Sequence, residues 1–311
     1  MLALSGGGAD GAFGAGLLAG WTASGNRPQF EFVTGVSTGA LIAPFAFLGP
    51  AYDAQLRTLY TSLSDSEVAV QRPLLALLSA DSLAETAPLA RLIEANFTSD
   101  MMQAIGHEHG KGRVLLVATT DLDLGRPMIW NIGAIAASGH RDALALIRRI
   151  LLASASIPGL FPPVLFDSDV PGRQELHVDG GVTNQLFLYA TTVPLSSAPP
   201  HVRSRTRVAW IIRNGRFAEA RAETARGLLP IARRSISTLI AANAAGDTYR
   251  AFVLLRRDGI GYNLAAIPDS FVVQARTPFD RDYMAALYDL GFNEGRSGRI
   301  WRTTPPGLAR D

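Results

Sequence analysis

Gly35-Val36-Ser37-Thr38-Gly39 is a G-x-S-x-G pentapeptide. Glycines at its ends let the backbone pinch between a strand and a helix, which lifts the central serine oxygen into the open as a nucleophile. The helix N-terminus behind it favours negative charge. The same five residues also suit a plain glycine-flanked turn whose serine caps a helix. Ahead of them, Ser5-Gly6-Gly7-Gly8-Ala9-Asp10-Gly11 exposes backbone N–H groups before a helix, the makings of an anion hole. Two uses compete for it. One is a phosphate or dinucleotide site, but the run lacks the P-loop lysine, and Glu31 opens a strand where a ribose-binding acid would close one. The other is an oxyanion hole for acyl transfer, in which the amides of Gly6, Gly7 and Gly8 stabilise the alkoxide of a tetrahedral intermediate. A nucleophile elbow on the next strand favours the second.

Asp179-Gly180-Gly181 closes a strand, and the carboxyl edge of a parallel sheet is where sites assemble. Asp-Gly pairs also make ordinary turns. A serine nucleophile needs a base, so the five histidines matter: His107, His109, His140, His177 and His201. A triad in the chain order Ser, Asp, His requires a histidine beyond Asp179, and only His201 stands there, in a proline-rich stretch. His177 lies two residues before Asp179, so on a strand the two share a face. It reads better as a partly buried structural histidine than as a catalytic one. What remains is a serine–aspartate dyad.

Taken together, the glycine-rich loop, the G-x-S-x-G on the following strand and the distant Asp-Gly-Gly resemble the patatin-like phospholipases. The segment Ala153-Ser154-Ala155-Ser156-Ile157-Pro158-Gly159-Leu160-Phe161-Pro162-Pro163-Val164 is similar to that family's stretch before the aspartate strand. The resemblance runs from residue 2 to about 190 and thins beyond 200, where Tyr249 to Pro268 still resembles the tail of bacterial members. It implies a three-layer α/β/α sandwich around a central, mostly parallel sheet. It implies Ser37 as nucleophile, Asp179 as its general base and Gly6, Gly7 and Gly8 as the oxyanion loop, with Gly35, Gly39, Gly180 and Gly181 shaping the two turns. The implied activity is hydrolysis of lipid acyl esters, phospholipid or neutral, with no metal and no cofactor. An aspartate at its ordinary pKa of about 3.9 is a poor base. The chemistry therefore needs burial to raise it, or proton transfer concerted with attack.

One position departs from the family, which usually carries Arg or Lys two residues after the glycine triplet. Asp10 stands there instead. A carboxylate near the site favours neutral esters over anionic phospholipids, unless it only serves the N-terminus of the following helix. Rival activities share the motifs. An acyltransferase with an alcohol acceptor would use every residue named above, and a malonyl-type acyltransferase usually has histidine where Val36 stands. The non-enzymatic rival is a lipid-binding protein with a dead site, against which all three motifs are intact.

Strands and helices must hold these residues, and their pattern is legible. Leu2 to Leu4 and Glu31 to Thr34 read as strands, each followed by a glycine turn and a helix, about Gly11 to Ser24 and on to about Leu48. Strand–turn–helix twice over is the grammar of a parallel sheet. Tyr52 to Gly110 predicts a helical cap, and Arg113 to Thr119, Pro127 to Asn131 and Glu175 to Val178 predict strands. Arg141 to Ala155 predicts a helix. Phe161 sits between Gly and Pro breakers, which predicts either a loop tip at an apolar mouth shared with the 52–110 region, or a core contact. After a Pro-, Ser- and Arg-rich stretch from Pro194 to Arg207, the expectation is a strand over Val208 to Ile212 and one or two helices from Ala218 to Arg257. A strand near Tyr262 to Ile267 and a helix near Asp280 to Leu290 follow. The whole reads as one domain over 1–311, a motif-bearing core over 1–195 carrying the 52–110 cap, and an extension over 206–311 packed on that core.

Composition narrows the class. Of 311 residues 48% are hydrophobic and 18% charged, enough apolar matter for a sizeable core. A formal net charge of +2 argues against nucleic acid as a partner. The absence of cysteine removes disulfides, thiol nucleophiles and thiolate metal sites. The longest apolar stretch, Ala40 to Tyr52, is broken by Pro44, Gly49 and Pro50. It falls short of the roughly 20 residues of a membrane span, which leaves peripheral contact as the way to reach lipid. Lys111 is the only lysine, and the bias to arginine fits a GC-rich bacterial genome. A core strand at residue 2 predicts a trimmed leader, hence a periplasmic, secreted or lipid-anchored protein; with no leader the expectation is cytoplasmic.

Overall fold

The first strand explains the layering. In the computed structural model, residues 1–62, 68, 70–71, 84–168, 170–189, 192, 207–217 and 223–308 are described. The elements run β1 (Leu2–Leu4), α1 (Gly11–Ala23), β2 (Phe32–Val36), α2 (Thr38–Leu48), α3 (Asp53–Thr61), β3 (Val70–Gln71), β4 (Ala84–Glu85), α4 (Ala87–Asn96), α5 (Ser99–Gly110), β5 (Val114–Asp121), β6 (Arg126–Asn131), α6 (Ile132–Ala137), α7 (Ala143–Ser154), β7 (Val164–Asp167), β8 (Gln174–Asp179), β9 (Val208–Arg213), α8 (Leu228–Arg257), β10 (Gly261–Ala266) and α9 (Arg281–Ser297). Leu2 and Leu4 of β1 enter the larger apolar cluster and Ala3 the smaller. Side chains alternate across a strand, so the sheet is covered on both faces, which is why β1 reads as an unbroken apolar run. Residues of α1, α2, α7 and α9 build the larger cluster, and Ala251, Phe252 and Leu255 of α8 the smaller. The result is an α/β/α sandwich.

The sheet order is β10-β9-β1-β2-β5-β8-β7, with β6 also on β5. β10, β9, β1, β2 and β5 run parallel, and β6, β8 and β7 are antiparallel additions. The register around β5 sets up the site. β6 lines one edge of β5 from Leu116 to Asp121. On the opposite edge β2 pairs as far as Val36↔Ala118, and β8 takes over at the next residue, Thr119↔Asp179, running the other way. The carboxyl ends of β2 and β8 therefore meet head to head.

The C-terminal strands continue the same sheet, since β9 pairs with β1 at Leu2↔Trp210. Helix α9 lies against α1 so closely that a Cβ on Gly16 would sit 2.0 Å from the Tyr288 carbonyl oxygen. α1 is buried on nearly every side, as its composition without charge requires.

Several boundaries differ from the sequence expectation. β2 continues to Val36, so the strand runs directly into the elbow. A single helix begins at Leu228, where one or two helices from Ala218 were expected; residues 218–222 lie outside the described residues. β7 has no counterpart in the expectation, because four residues beside Pro162-Pro163 carry little pattern. In the expected 52–110 cap the described residues form α3, α4, α5 and the β3–β4 pair, and residues 72–83 lie outside them. Most of the Pro194–Arg207 stretch, with His201, also lies outside. No helix among the described residues is long and apolar enough to cross a membrane.

Candidate active site

Ser37 sits between β2 and α2 with φ 55° and ψ −125°. Among the described residues no other non-glycine residue has positive φ. Such a conformation costs on the order of 1–3 kcal/mol and persists only where the surroundings impose it. Here they do. A Cβ on Gly35 would lie 2.4 Å from the Gly39 carbonyl oxygen, and one on Gly39 would lie 2.3 Å from that of Leu4. Both ends of the pentapeptide must be glycine for the turn to close. The Ser37 N–H donates to Ser154 Oγ at 3.0 Å, and the Ser154 hydroxyl donates to the Ala118 carbonyl at 2.7 Å. Ser37 makes no side-chain capping bond, so the plain helix-capping use of this serine is absent.

Asp179 arrives from the opposite direction on β8. The two side chains are almost fully enclosed, Ser37 at 4% exposure and Asp179 at 3%. Asp179 Oδ1 accepts the Gly181 N–H at 2.7 Å, and the Asp179 N–H donates to the Ser156 carbonyl at 2.9 Å. The Ser37 hydroxyl lies within hydrogen-bonding reach of the carboxylate. Burial is the strongest influence on the acid and pushes it up to about 7, against the opposing pull of the Ser37 and Gly181 hydrogen bonds. That places it where a carboxylate can accept a proton near neutral pH. Gly180 allows this approach, since a Cβ there would meet the Ala118 carbonyl oxygen at 2.5 Å.

The glycine loop needs one correction. The Gly6 N–H is already given to the Gln185 carbonyl at 3.1 Å, so it is no oxyanion donor. Its lack of a side chain is what counts, because a Cβ would sit 3.2 Å from Ser37 Cβ and 2.2 Å from Gln185 Oε1. Among the described residues the Gly7 and Gly8 N–H groups donate no backbone hydrogen bond. Gly8, at φ 57°, faces open space.

Ser37 and Gly8 border two cavities, the second much richer in polar groups than the first. The first is apolar and is walled by Leu41, Phe45, Leu92, Phe97, Leu151 and Phe161. Much of that wall comes from the 52–110 region. Phe161 is buried at 2% exposure in the larger core cluster and also lines this cavity, so it is no exposed loop tip, yet the core contact and the place at the apolar cavity shared with the 52–110 region both hold. The second gathers the polar groups Asp10, Asp179, Gln185, Arg213, Asn214 and Arg216 beside apolar side chains such as Ile157 and Ile240.

Asp10 follows neither sequence expectation cleanly. It occupies the cap position of α1 without a capping bond. Instead it accepts a hydrogen bond from the Tyr283 hydroxyl of α9. Burial raises its pKa, while Tyr283 and the nearby Arg216 pull it back. Arg213 and Arg216 thus bring to the polar cavity the positive charge that position 10 lacks.

His177 is fully buried, with Nδ1 2.9 Å from Thr119 Oγ1 and Phe166 packed against its ring at 4.8 Å. The sequence reading missed Ser154 as the brace of the elbow. A serine on the buried face of an amphipathic helix was the available signal. It also missed Asn214, whose N–H and Nδ2 both donate to Ser5, at 2.8 Å each, and whose Oδ1 accepts the Gly14 N–H at 3.1 Å. Asn214 follows the end of β9, the edge where parallel sheets place functional side chains. Asp247 of α8 accepts the Gln185 and Leu186 amides at 2.7 and 3.2 Å, fixing the segment after Asp-Gly-Gly.

The protein-family model described as patatin-like phospholipase matches residues 2–191. No curated protein matches the chain. Among solved structures, the chain is similar to VipD from Legionella pneumophila at 14% sequence identity, with 97% of this chain and 67% of that chain covered and a TM-score of 0.45.

Proposed function

The chain belongs to the patatin-like phospholipase family, whose members are lipid acyl hydrolases, and from that premise we propose that it hydrolyses lipid acyl esters through a Ser37–Asp179 dyad. The observation that carries this reading is the buried carboxylate, raised to about 7, within reach of a serine held at φ 55°. The acyl chain enters the apolar cavity and the ester carbonyl carbon meets Ser37 Oγ. Asp179 takes the hydroxyl proton as the oxygen attacks. The amides of Gly7 and Gly8 receive the oxyanion. The leaving alcohol departs into the polar cavity, which Asp179 also lines, and the proton returns to it there. Water, deprotonated by the same carboxylate, then attacks the acyl-enzyme, and Asp179 returns that proton to the departing Ser37 Oγ as the acid is released.

The two-sided site supports a substrate with an apolar acyl chain and a polar, hydrogen-bonding alcohol portion. The test is a panel of p-nitrophenyl esters and phospholipids assayed with wild type, Ser37→Ala and Asp179→Asn. A competing alcohol acceptor is included to separate hydrolysis from acyl transfer. Turnover by the wild type that Ser37→Ala retains, or labelling of another residue by a fluorophosphonate probe, would overturn the assignment.

A further inference from the structure

Further back along the aspartate strand lies a cluster that the proposed reaction does not use. Asp121 of β5 and His177 of β8 are register partners, and Glu175 stands two residues before His177 on the same face of β8. One ligand atom from each of the three lies within 4.8 Å of the others. Asp121 and His177 are fully buried, while the Glu175 side chain keeps 25% exposure. Asp121 Oδ2 and His177 Nε2 are both buried with no hydrogen-bond partner. The gap from His177 Nε2 to Glu175 Oε2 is 3.5 Å, long for a hydrogen bond.

The other atom of each buried ligand is already held. Asp121 Oδ1 accepts the Leu124 N–H at 3.1 Å. His177 Nδ1 faces Thr119 Oγ1 at 2.9 Å, and that oxygen also accepts the Trp130 Nε1–H at 2.8 Å. In the tautomer that donates from Nδ1 to Thr119, Nε2 presents its lone pair to the cluster. An outer hydrogen bond of this kind is how metal-binding imidazoles are oriented. Charge leads the same way. Two carboxylates meet beside the Phe166 and Trp130 rings, 4.8 and 5.8 Å from the imidazole. Burying unbalanced charge against aromatic walls is expensive, and one divalent cation balances two carboxylates.

We propose that Asp121, Glu175 and His177 form a three-ligand site for a borderline divalent cation of the Zn²⁺ type, tying β8 to β5 two residues before the dyad aspartate. One nitrogen and two carboxylate oxygens suit Zn²⁺ and its first-row neighbours better than Mg²⁺ or Ca²⁺, which prefer oxygen alone. Glu175, at the exposed rim, is the entry, and water completes the coordination. The cation is a strand clamp and takes no part in ester cleavage.

The experiment uses the full chain after chelator treatment. Zn²⁺, then Mg²⁺, is titrated calorimetrically, and melting is followed with and without each metal. The expected result is one equivalent of Zn²⁺ per chain and a rise in Tm of several degrees at saturation, with little response to Mg²⁺. Glu175→Gln, at a partly exposed position where folding is not at stake, and His177→Gln should each abolish both signals. His140→Gln, at an exposed position, should retain them. Absence of saturable Zn²⁺ binding by the wild type would overturn the proposal. Binding that survives unchanged in both Glu175→Gln and His177→Gln would overturn it equally, placing the metal elsewhere.

Discussion

Ser154→Ala separates a braced elbow from one that holds itself. The hydroxyl receives the Ser37 N–H at 3.0 Å and donates to the Ala118 carbonyl at 2.7 Å, at a residue with no exposed surface. Removing it strands a buried donor and weakens a buried acceptor. A buried group left unsatisfied costs about 1–3 kcal/mol. The amide has no alternative partner and the carbonyl has a second lone pair, so a total loss of about 2–4 kcal/mol is expected. For a domain of this size that is a drop in Tm of about 3–6 °C. The variant also frees Ser37 to leave its strained backbone conformation. If release of that strain shifts the population by about 1.4–2.8 kcal/mol, kcat falls about ten- to a hundredfold. KM should hardly move, because Ser154 lines neither cavity. The assay is p-nitrophenyl ester turnover well below the lowered Tm, together with calorimetric melting. Ser156→Ala is the control, since that hydroxyl bonds only the Leu152 carbonyl one helical turn back, at 2.8 Å. A Ser154→Ala enzyme that melts early but keeps full kcat would refute the bracing argument, as would equal losses in both variants.

Four further outcomes are expected. Asp179→Asn should lower kcat on the order of 10²–10⁴-fold, the usual scale for a lost general base, with melting little changed; a comparable fall in His107→Gln or His140→Gln would break the dyad reading. In chelator-treated wild type, kcat/KM should decline on the acid side of about 7, because Asp179 is raised to that value and its protonated form cannot accept the serine proton; a flat profile down to pH about 5, closer to the ordinary carboxylate range, would argue against this base. Leu92→Trp fills the apolar cavity and should cut kcat/KM for long acyl chains about tenfold or more, while sparing short ones, as measured across an ester series. Arg216→Gln should lower turnover of phospholipids relative to uncharged esters about three- to tenfold, an effect that shrinks with added salt; an unchanged ratio would take Arg216 out of substrate recognition.

The sequence alone determined what is local. Gly35 and Gly39 around Ser37, the glycine run after β1 and the Asp-Gly-Gly after β8 are short-range solutions to sharp turns, and short-range constraints leave their mark in adjacent residues. The parallel sheet was legible for the same reason, because each strand–turn–helix unit carries its own apolar pattern. Tertiary structure decided which of those groups meet and what state they are in. Nothing near Val36 or Asp179 announces that β2 and β8 end head to head on one edge of β5; that depends on pairing between strands far apart in the chain. Gly6 looked equivalent to Gly7 and Gly8 until the Gln185 carbonyl claimed its amide. Asp10 looked like a charge at a helix start until Tyr283 and Arg216, both from the C-terminal part, enclosed it. The acid strength of Asp179 belongs to the same class, since burial is what raises it. Burial is a property of everything that packs around a side chain, and most of that matter comes from residues the motif does not contain.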